Sequence, residues 1–311
     1  MIRKPSFLFI KLGIIFATLL QFSLAIADDD ERLIVFGDSL SDPGNAFIIL
    51  EGQQSIAPFN LIPDAPYAIG GHHFTNGRTW VEQLAKKMRS KAKPAFAFNG
   101  GTNFAVGGSR ARNVGPINLT SQVALYQSLF VADDDDLIVM MIGGNDVRDA
   151  IEALLLDPSG ATSQQILTDA ITSIQANLVS LINSGAEEFL VSNAPDLSLT
   201  PAVRAAGPEA AFAAHFLSLQ FNLALAELVQ GLSAVYDVEM VQFDLLGAVT
   251  QVAANHKSFG FSNATDSCIT PGVIIKAICA NPNSYMFWDG IHPTKNAHRI
   301  IARKAYRVIE D

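Results

Sequence analysis

Short apolar runs recur along this chain, and each is followed by a polar or glycine-rich turn and then by a longer stretch with helical spacing. Leu33–Phe36, Leu137–Ile142, Glu188–Val191 and Val238–Phe243 predict strands. Between and after them the spacing predicts helices over Gly77–Met88, Ser121–Val131, Ser163–Ile182, Pro208–Ala234 and Thr294–Ile309. The first has Trp80, Leu84 and Met88 four apart, with Thr75 or Asn76 as its cap. In the third, Ile166, Ala170, Ile174, Leu178 and Ile182 share one face, and Gly185 is the stop. Ala95–Asn99 and Asn103–Val106 read as extended segments around Gly100-Gly101. Strands separated by helices pair in parallel, and strands that are apolar on both faces must be covered on both. The expectation is an α/β protein with a mostly parallel central sheet between two helical layers. No internal repeat or linker divides residues 28–311, which read as one domain.

The first residues belong to a different kind of segment. Met1-Ile2-Arg3-Lys4 is basic, Leu12–Phe22 is apolar, and Ala25-Ile26-Ala27 has the small-x-small form of a cleavage site. Lys11 interrupts the apolar run, leaving it short of the roughly 20 residues that a membrane span requires. Residues 1–27 are therefore expected to be a signal peptide, with the remainder exported to the periplasm or beyond the cell.

The chain has a formal net charge of −9, which becomes more negative once Arg3, Lys4 and Lys11 are removed. That balance argues against a nucleic-acid partner. The two cysteines, Cys268 and Cys279, are expected to form a disulfide in an exported protein. A metal site is not indicated: no histidine or second cysteine pair lies at ligand spacing. The acidic runs Asp28–Glu31 and Asp133–Asp136 read as solvated ends and loops, since the second lacks the interrupted spacing of a calcium loop.

In open α/β sheets, ligands bind outside the carboxyl ends of the strands. The residues that follow the strands are Gly37-Asp38-Ser39, then Gly107-Gly108, then Gly143-Gly144-Asn145-Asp146; before the last helix comes Trp288-Asp289-Gly290-Ile291-His292-Pro293. A serine hydroxyl becomes a nucleophile when a neighbouring base takes its proton. Ser39 is placed to be that serine, at a turn from strand into helix whose N-terminus would favour negative charge. His292 is the candidate base. Asp289, three residues earlier, can hold its tautomer and stabilise the imidazolium. The backbone N–H groups of Ser39 and Gly108 and the amide of Asn145 are candidate oxyanion donors. The Gly-x-Ser-x-Gly elbow is absent, as are a zinc-protease helix, a phosphate loop and a dinucleotide fingerprint.

Taken together, these blocks resemble the GDSL, or SGNH, hydrolase family. Phe36-Gly37-Asp38-Ser39-Leu40-Ser41-Asp42 is similar to the family's first block, Asn103–Gly108 to the second, Gly143–Asp146 to the third and Phe287–Thr294 to the last. Two further segments, Phe74–Trp80 and Asn193–Leu197, resemble a bacterial branch of secreted phospholipases, lysophospholipases and glycerophospholipid:cholesterol acyltransferases. Pro43 departs from the pattern at a position more often threonine. The resemblance implies a flavodoxin-like three-layer sandwich and ester hydrolysis without metal or organic cofactor. Its catalytic residues would be Ser39, Asp289 and His292, with Ser39, Gly108 and Asn145 as the oxyanion hole. It further implies a lipid ester as substrate, reached by transient contact with a membrane or micelle, and activating proteolysis within the 268–279 loop. A carbohydrate or short-chain acetylesterase of the same fold is the alternative, and a non-catalytic lipid- or glycan-binding module a more distant one.

Overall fold

A computed structural model describes residues 32–50, 67, 71–269 and 278–310. The expected signal peptide and residues 270–277, most of the stretch between the two cysteines, lie outside the described residues.

Four parallel strands stand in chain order: β1 (Leu33–Gly37), β2 (Leu137–Met141), β3 (Glu188–Ser192) and β4 (Glu239–Phe243). Leu33 pairs with Leu137, Leu137 with Glu188 and Glu188 with Glu239, so the strands start level and end level. The outer edge of β1 carries Thr102–Val106. Val35 N donates to Thr102 O at 2.9 Å, Phe104 N to Val35 O at 2.7 Å and Val106 N to Gly37 O at 3.2 Å. The extended reading of Asn103–Val106 thus holds as a paired ribbon. Ala95 contributes one link to it, donating to Asn103 O, before the chain turns at Ala97–Gly100. The chain therefore leaves β1 for one edge and returns to β2 on the other side. This is the reversal of direction at which a crevice opens above a parallel sheet.

Alternate residues of each strand enter different cores, because strand side chains alternate faces. Ile34, Phe36, Ile138, Met140 and Phe189 face one layer; Leu33, Val35, Leu137, Val139 and Leu190 face the other. Helices in chain order are α1 (Asn45–Ile49), α2 (Trp80–Lys87), α3 (Leu119–Leu129), α4 (Gly144–Ala153), α5 (Ala161–Asn183), α6 (Pro201–Ala205), α7 (Pro208–Val235), α8 (Leu245–Ala254) and α9 (Lys295–Glu310). The first layer takes α3, α4, α5 and α7, and the second takes α2, α8 and α9. A small parallel pair, β5 (Asn263–Ser267) and β6 (Tyr285–Phe287), ends at the last motif.

Two expectations change. The helix expected from Gly77 begins at Trp80. Thr79 and Glu82 form its capping box, with Thr79 N donating to the Glu82 carboxylate at 2.8 Å. Thr75 and Asn76 are used elsewhere: the Thr75 hydroxyl donates to Pro293 O at 2.8 Å, and Asn76 Oδ1 accepts from Lys295 N at 2.8 Å. Nor does a helix stand directly behind Ser39. Residues 38–41 form a turn closed by Ser41 N to Asp38 O at 3.1 Å. The buried Asp42 carboxylate then captures the amides of Gly44, Asn45, Ala46 and Gly107, and the five-residue α1 begins only at Asn45.

Among the described residues one helix, α7, is long and apolar enough to cross a membrane. One of its faces, through Ala214, Leu217, Phe221 and Leu225, is buried in the core.

Candidate active site

Ser39 sits just past β1 because Gly37 lets the strand end there. A Cβ on Gly37 would stand 2.5 Å from Met141 O, so a side chain would force the two strands apart. Gln122 clamps this glycine from below: its Oε1 accepts from Gly37 N at 2.9 Å and its Nε2 donates to Gly37 O at 2.8 Å. Pro43 is buried and is not among the residues lining the cavity at Ser39.

His292 reaches this turn from the far end of the chain. Its Nε2 lies 2.8 Å from Ser39 Oγ, and its Nδ1 lies 2.7 Å from Asp289 Oδ2. Nδ1 therefore donates to the carboxylate and Nε2 accepts from the serine hydroxyl. The loop that presents the pair is tight. Trp288 N donates to His292 O at 2.7 Å, and Asp289 Oδ1 accepts from Ile291 N and His292 N at 2.8 and 2.7 Å. The Phe74 ring packs on the imidazole, with centroids 5.2 Å apart.

Asp289 is fully enclosed, and burial alone would raise its pKa. The His292 ring, the Tyr67 hydroxyl and the Ile291 amide outweigh that and hold it below its ordinary value. Tyr67 donates to Asp289 Oδ2 at 2.5 Å. It belongs to a small core with Cys268, Ile269 and Trp288, next to the disulfide between Cys268 and Cys279.

The opposite wall carries the candidate donors. Gly108 has φ 79°, a left-handed conformation that suits glycine. The Ser39 and Gly108 N–H groups have no hydrogen-bond partner among the described residues. Asn145 stands in the first turn of α4 and donates to Ser109 O at 2.9 Å, leaving its second amide hydrogen for a ligand. This wall is braced by charge. Arg110 binds Asp149 through two nitrogens at 2.9 and 2.8 Å and also donates to Gly108 O at 2.9 Å. Arg112 binds Asp146 at 2.8 Å and also Asp149.

Asp38, between the two walls, is pushed up to about 6 by burial. Burial also takes Asp42 to about 6, against four backbone donors.

Ser39, Asn145 and His292 line a cavity of about 580 Å³ whose walls are mostly aliphatic. Arg148 stands on its rim, 3.7 Å from Glu152 and 3.9 Å from Asp149. Its Nε has no hydrogen-bond partner among the described residues. The second branch-like segment, Asn193–Leu197, ties β3 to its neighbours: Asn193 bonds Asp244, and Asn222 brackets both backbone groups of Ala194.

The sequence reading missed Tyr67, Asp42, Gln122, Arg110 and Arg148. Tyr67, Gln122 and Arg110 act through partners between 39 and 222 residues away, and no local pattern signals such a contact; Asp42 adds the distant Gly107 to three amides within four residues of itself. For Arg148 the available signal was its place one turn after Asn145.

A family model described as GDSL-like lipase/acylhydrolase matches residues 33–305. A GDSL esterase/lipase from Arabidopsis thaliana is 25% identical, with 97% of this chain and 94% of the relative covered. A phosphatidylcholine-sterol acyltransferase from Aeromonas hydrophila is also 25% identical, with 90% of each covered. Among solved structures, an acetylxylan esterase from Geobacillus stearothermophilus superposes with a TM-score of 0.47 at 14% identity, covering 90% of this chain and 94% of that one.

Proposed function

The chain belongs to the GDSL-like lipase/acylhydrolase family, and from that premise we propose that it is an exported serine esterase that releases fatty acid from lysophospholipids or related glycerolipid esters. Ser39 Oγ attacks the ester carbonyl while His292 Nε2 takes its proton. The new oxyanion is held by the Ser39 and Gly108 amides and by Asn145. The C–O bond to the alcohol breaks, and the alcohol leaves with the proton from His292. Water, deprotonated by the same nitrogen, attacks the acyl-serine, and its collapse returns the proton to Ser39 and frees the acid. A second alcohol in place of water gives acyl transfer, in keeping with a relative named as a phosphatidylcholine-sterol acyltransferase.

The observation that carries this reading is the cavity: aliphatic walls around Ser39, with one guanidinium, Arg148, on the rim beside it. Apolar walls favour an acyl chain. A weakly paired arginine favours a phosphate on the leaving group. The exposed face of α7 adds support. Phe212, Phe216, Leu219 and Leu223 form a stripe opposite its buried face, suited to a lipid surface next to the cavity mouth. The 268–279 loop, next to the packing around Tyr67, is the proposed target of an activating protease.

The test is the release of acyl groups from lysophosphatidylcholine, monoacylglycerol and acetylated xylan by wild type, Ser39→Ala and Arg148→Ala. We expect Ser39→Ala to lose at least about 10³-fold in kcat. Arg148→Ala should lose about tenfold on the phospholipid and little on monoacylglycerol. Cleavage of the xylan alone would replace the lipid reading with the acetylesterase one, and full activity of Ser39→Ala would remove the mechanism.

A further inference from the structure

The residues lining the cavity that holds Ser39 and His292 fall into two sets, taken as its two limbs. In one, α8 presents Leu245, Ala248, Val249 and Val252, and α9 repeats the same spacing from Ala297 to Lys304. Residues at i, i+3, i+4 and i+7 form a single helix face, so two apolar stripes confront each other. Stripes of this kind ordinarily interdigitate; here a space remains between them. Its apolar walls are buried in the core of the second layer. The space starts at Pro293, beside His292, and follows α9 away from the nucleophile. From Ala297 to Lys304 it runs about 10 Å at 1.5 Å per residue. At its far end Lys304, a lining residue, donates from Nζ to the exposed Gln251 Oε1 at 2.5 Å.

The second limb differs. It is lined by Leu155, Val203 and Ala206 and rimmed by Arg148, Glu152 and Glu209. Leu155 is 84% exposed, so this limb opens to solvent.

We infer that the α8–α9 limb is the acyl channel. The chain of the scissile ester lies along α9 with its carbonyl at Ser39, and the departing alcohol leaves through the open limb past Arg148. The inference rests on the lipid-ester reading. The walls decide the assignment, because a sugar drawn into this limb would lose its water without finding polar partners. An alkyl chain gains about 0.8 kcal/mol per methylene buried, about fourfold in kcat/KM. The Lys304–Gln251 pair then sets the channel's depth and makes it a measure of chain length.

The test is a p-nitrophenyl ester series from acetyl to palmitoyl, with kcat/KM measured for wild type, Ala248→Phe and Lys304→Ala. Ala248→Phe fills the limb, and its octanoyl-to-acetyl ratio should fall about hundredfold, the worth of roughly three to four methylenes. Lys304→Ala opens the far end, and the optimum should move to longer chains. Lys304 is on the surface, so this arm stands even if Ala248→Phe fails to fold. If wild type prefers long chains and neither variant moves the profile, the channel assignment is wrong while the lipid reading stands. If wild type cleaves only acetyl esters, the lipid reading itself fails.

Discussion

On one side of Ser39, loop 107–112 is tied to α4 by partly exposed ion pairs of Arg110 and Arg112 with Asp149, and by Arg112 to the enclosed Asp146. On the other, the 288–294 loop is held by enclosed hydrogen bonds and by packing against Tyr67, Phe74 and the disulfide core. The oxyanion side needs only that a few N–H groups point correctly, and a screened network is enough to aim them. The base side holds a carboxylate out of water, which is tolerable only when every lone pair is engaged. Asp289 meets that demand with two donors on each oxygen.

The comparison can be broken from the base side first. Asp289→Asn should lower kcat by about 10⁴-fold, because an amide does not hold the His292 tautomer. A loss under tenfold in steady-state turnover would show that the carboxylate is ornamental. On the oxyanion side, Asn145→Ala should lose about 10²- to 10³-fold in kcat with little change in KM. Arg110→Ala should lose less, up to about hundredfold, through displacement of Gly108. Wild-type turnover should decline with added salt, and Arg110→Ala should decline less. Equal salt sensitivity in both proteins would remove charge as the brace.

The smallest expected effect concerns His298, buried beneath the base side with Nδ1 accepting from Trp80 N at 3.1 Å. Burial, helped by the nearby His292 and His73, lowers it to about 3. Between pH 3 and the ordinary histidine value of about 6.5, the unfolded chain binds a proton that the native state refuses. Stability therefore rises with pH across that window, and acidification to pH 5 costs about 2 kcal/mol. Asp38 and Asp42, raised to about 6, act with the opposite sign, each losing stability as pH climbs from about 4 to 6. His298→Asn keeps an acceptor for Trp80 and removes only the first effect. Its drop in Tm between pH 7 and pH 5 should be about 5 °C smaller than that of wild type. An identical drop would mean that His298 titrates normally.

Sequence reading reached the sheet, its parallel sense and the placement of Ser39, Asn145, Asp289 and His292, because each follows a strand or precedes a helix in a way that period and turn chemistry reveal. It misplaced the cap of α2, since Thr75, Asn76 and Thr79 are all good capping residues and only contact with the 293–295 segment decides among them. It put a helix directly behind Ser39; Asp42 caps the later α1 through three local amides, and its fourth partner, Gly107, is 65 residues on and visible only in the fold. The bracing of both walls was illegible for the same reason: Arg110 with Asp149, and Tyr67 with Asp289, are partners only after the chain has folded.

The hydrogen bond between Ser39 and His292 spans 253 residues of sequence. Few contacts in a chain of this length enclose a larger loop, and the entropy of closing it is met only when the intervening strands and helices are already docked. A chain that has regained its helices but not its last-formed packing holds a serine with no base within reach. Ester turnover in this protein is therefore a report on the completed topology, and a chain cut down past Ser39 or short of His292 has no residual form of it.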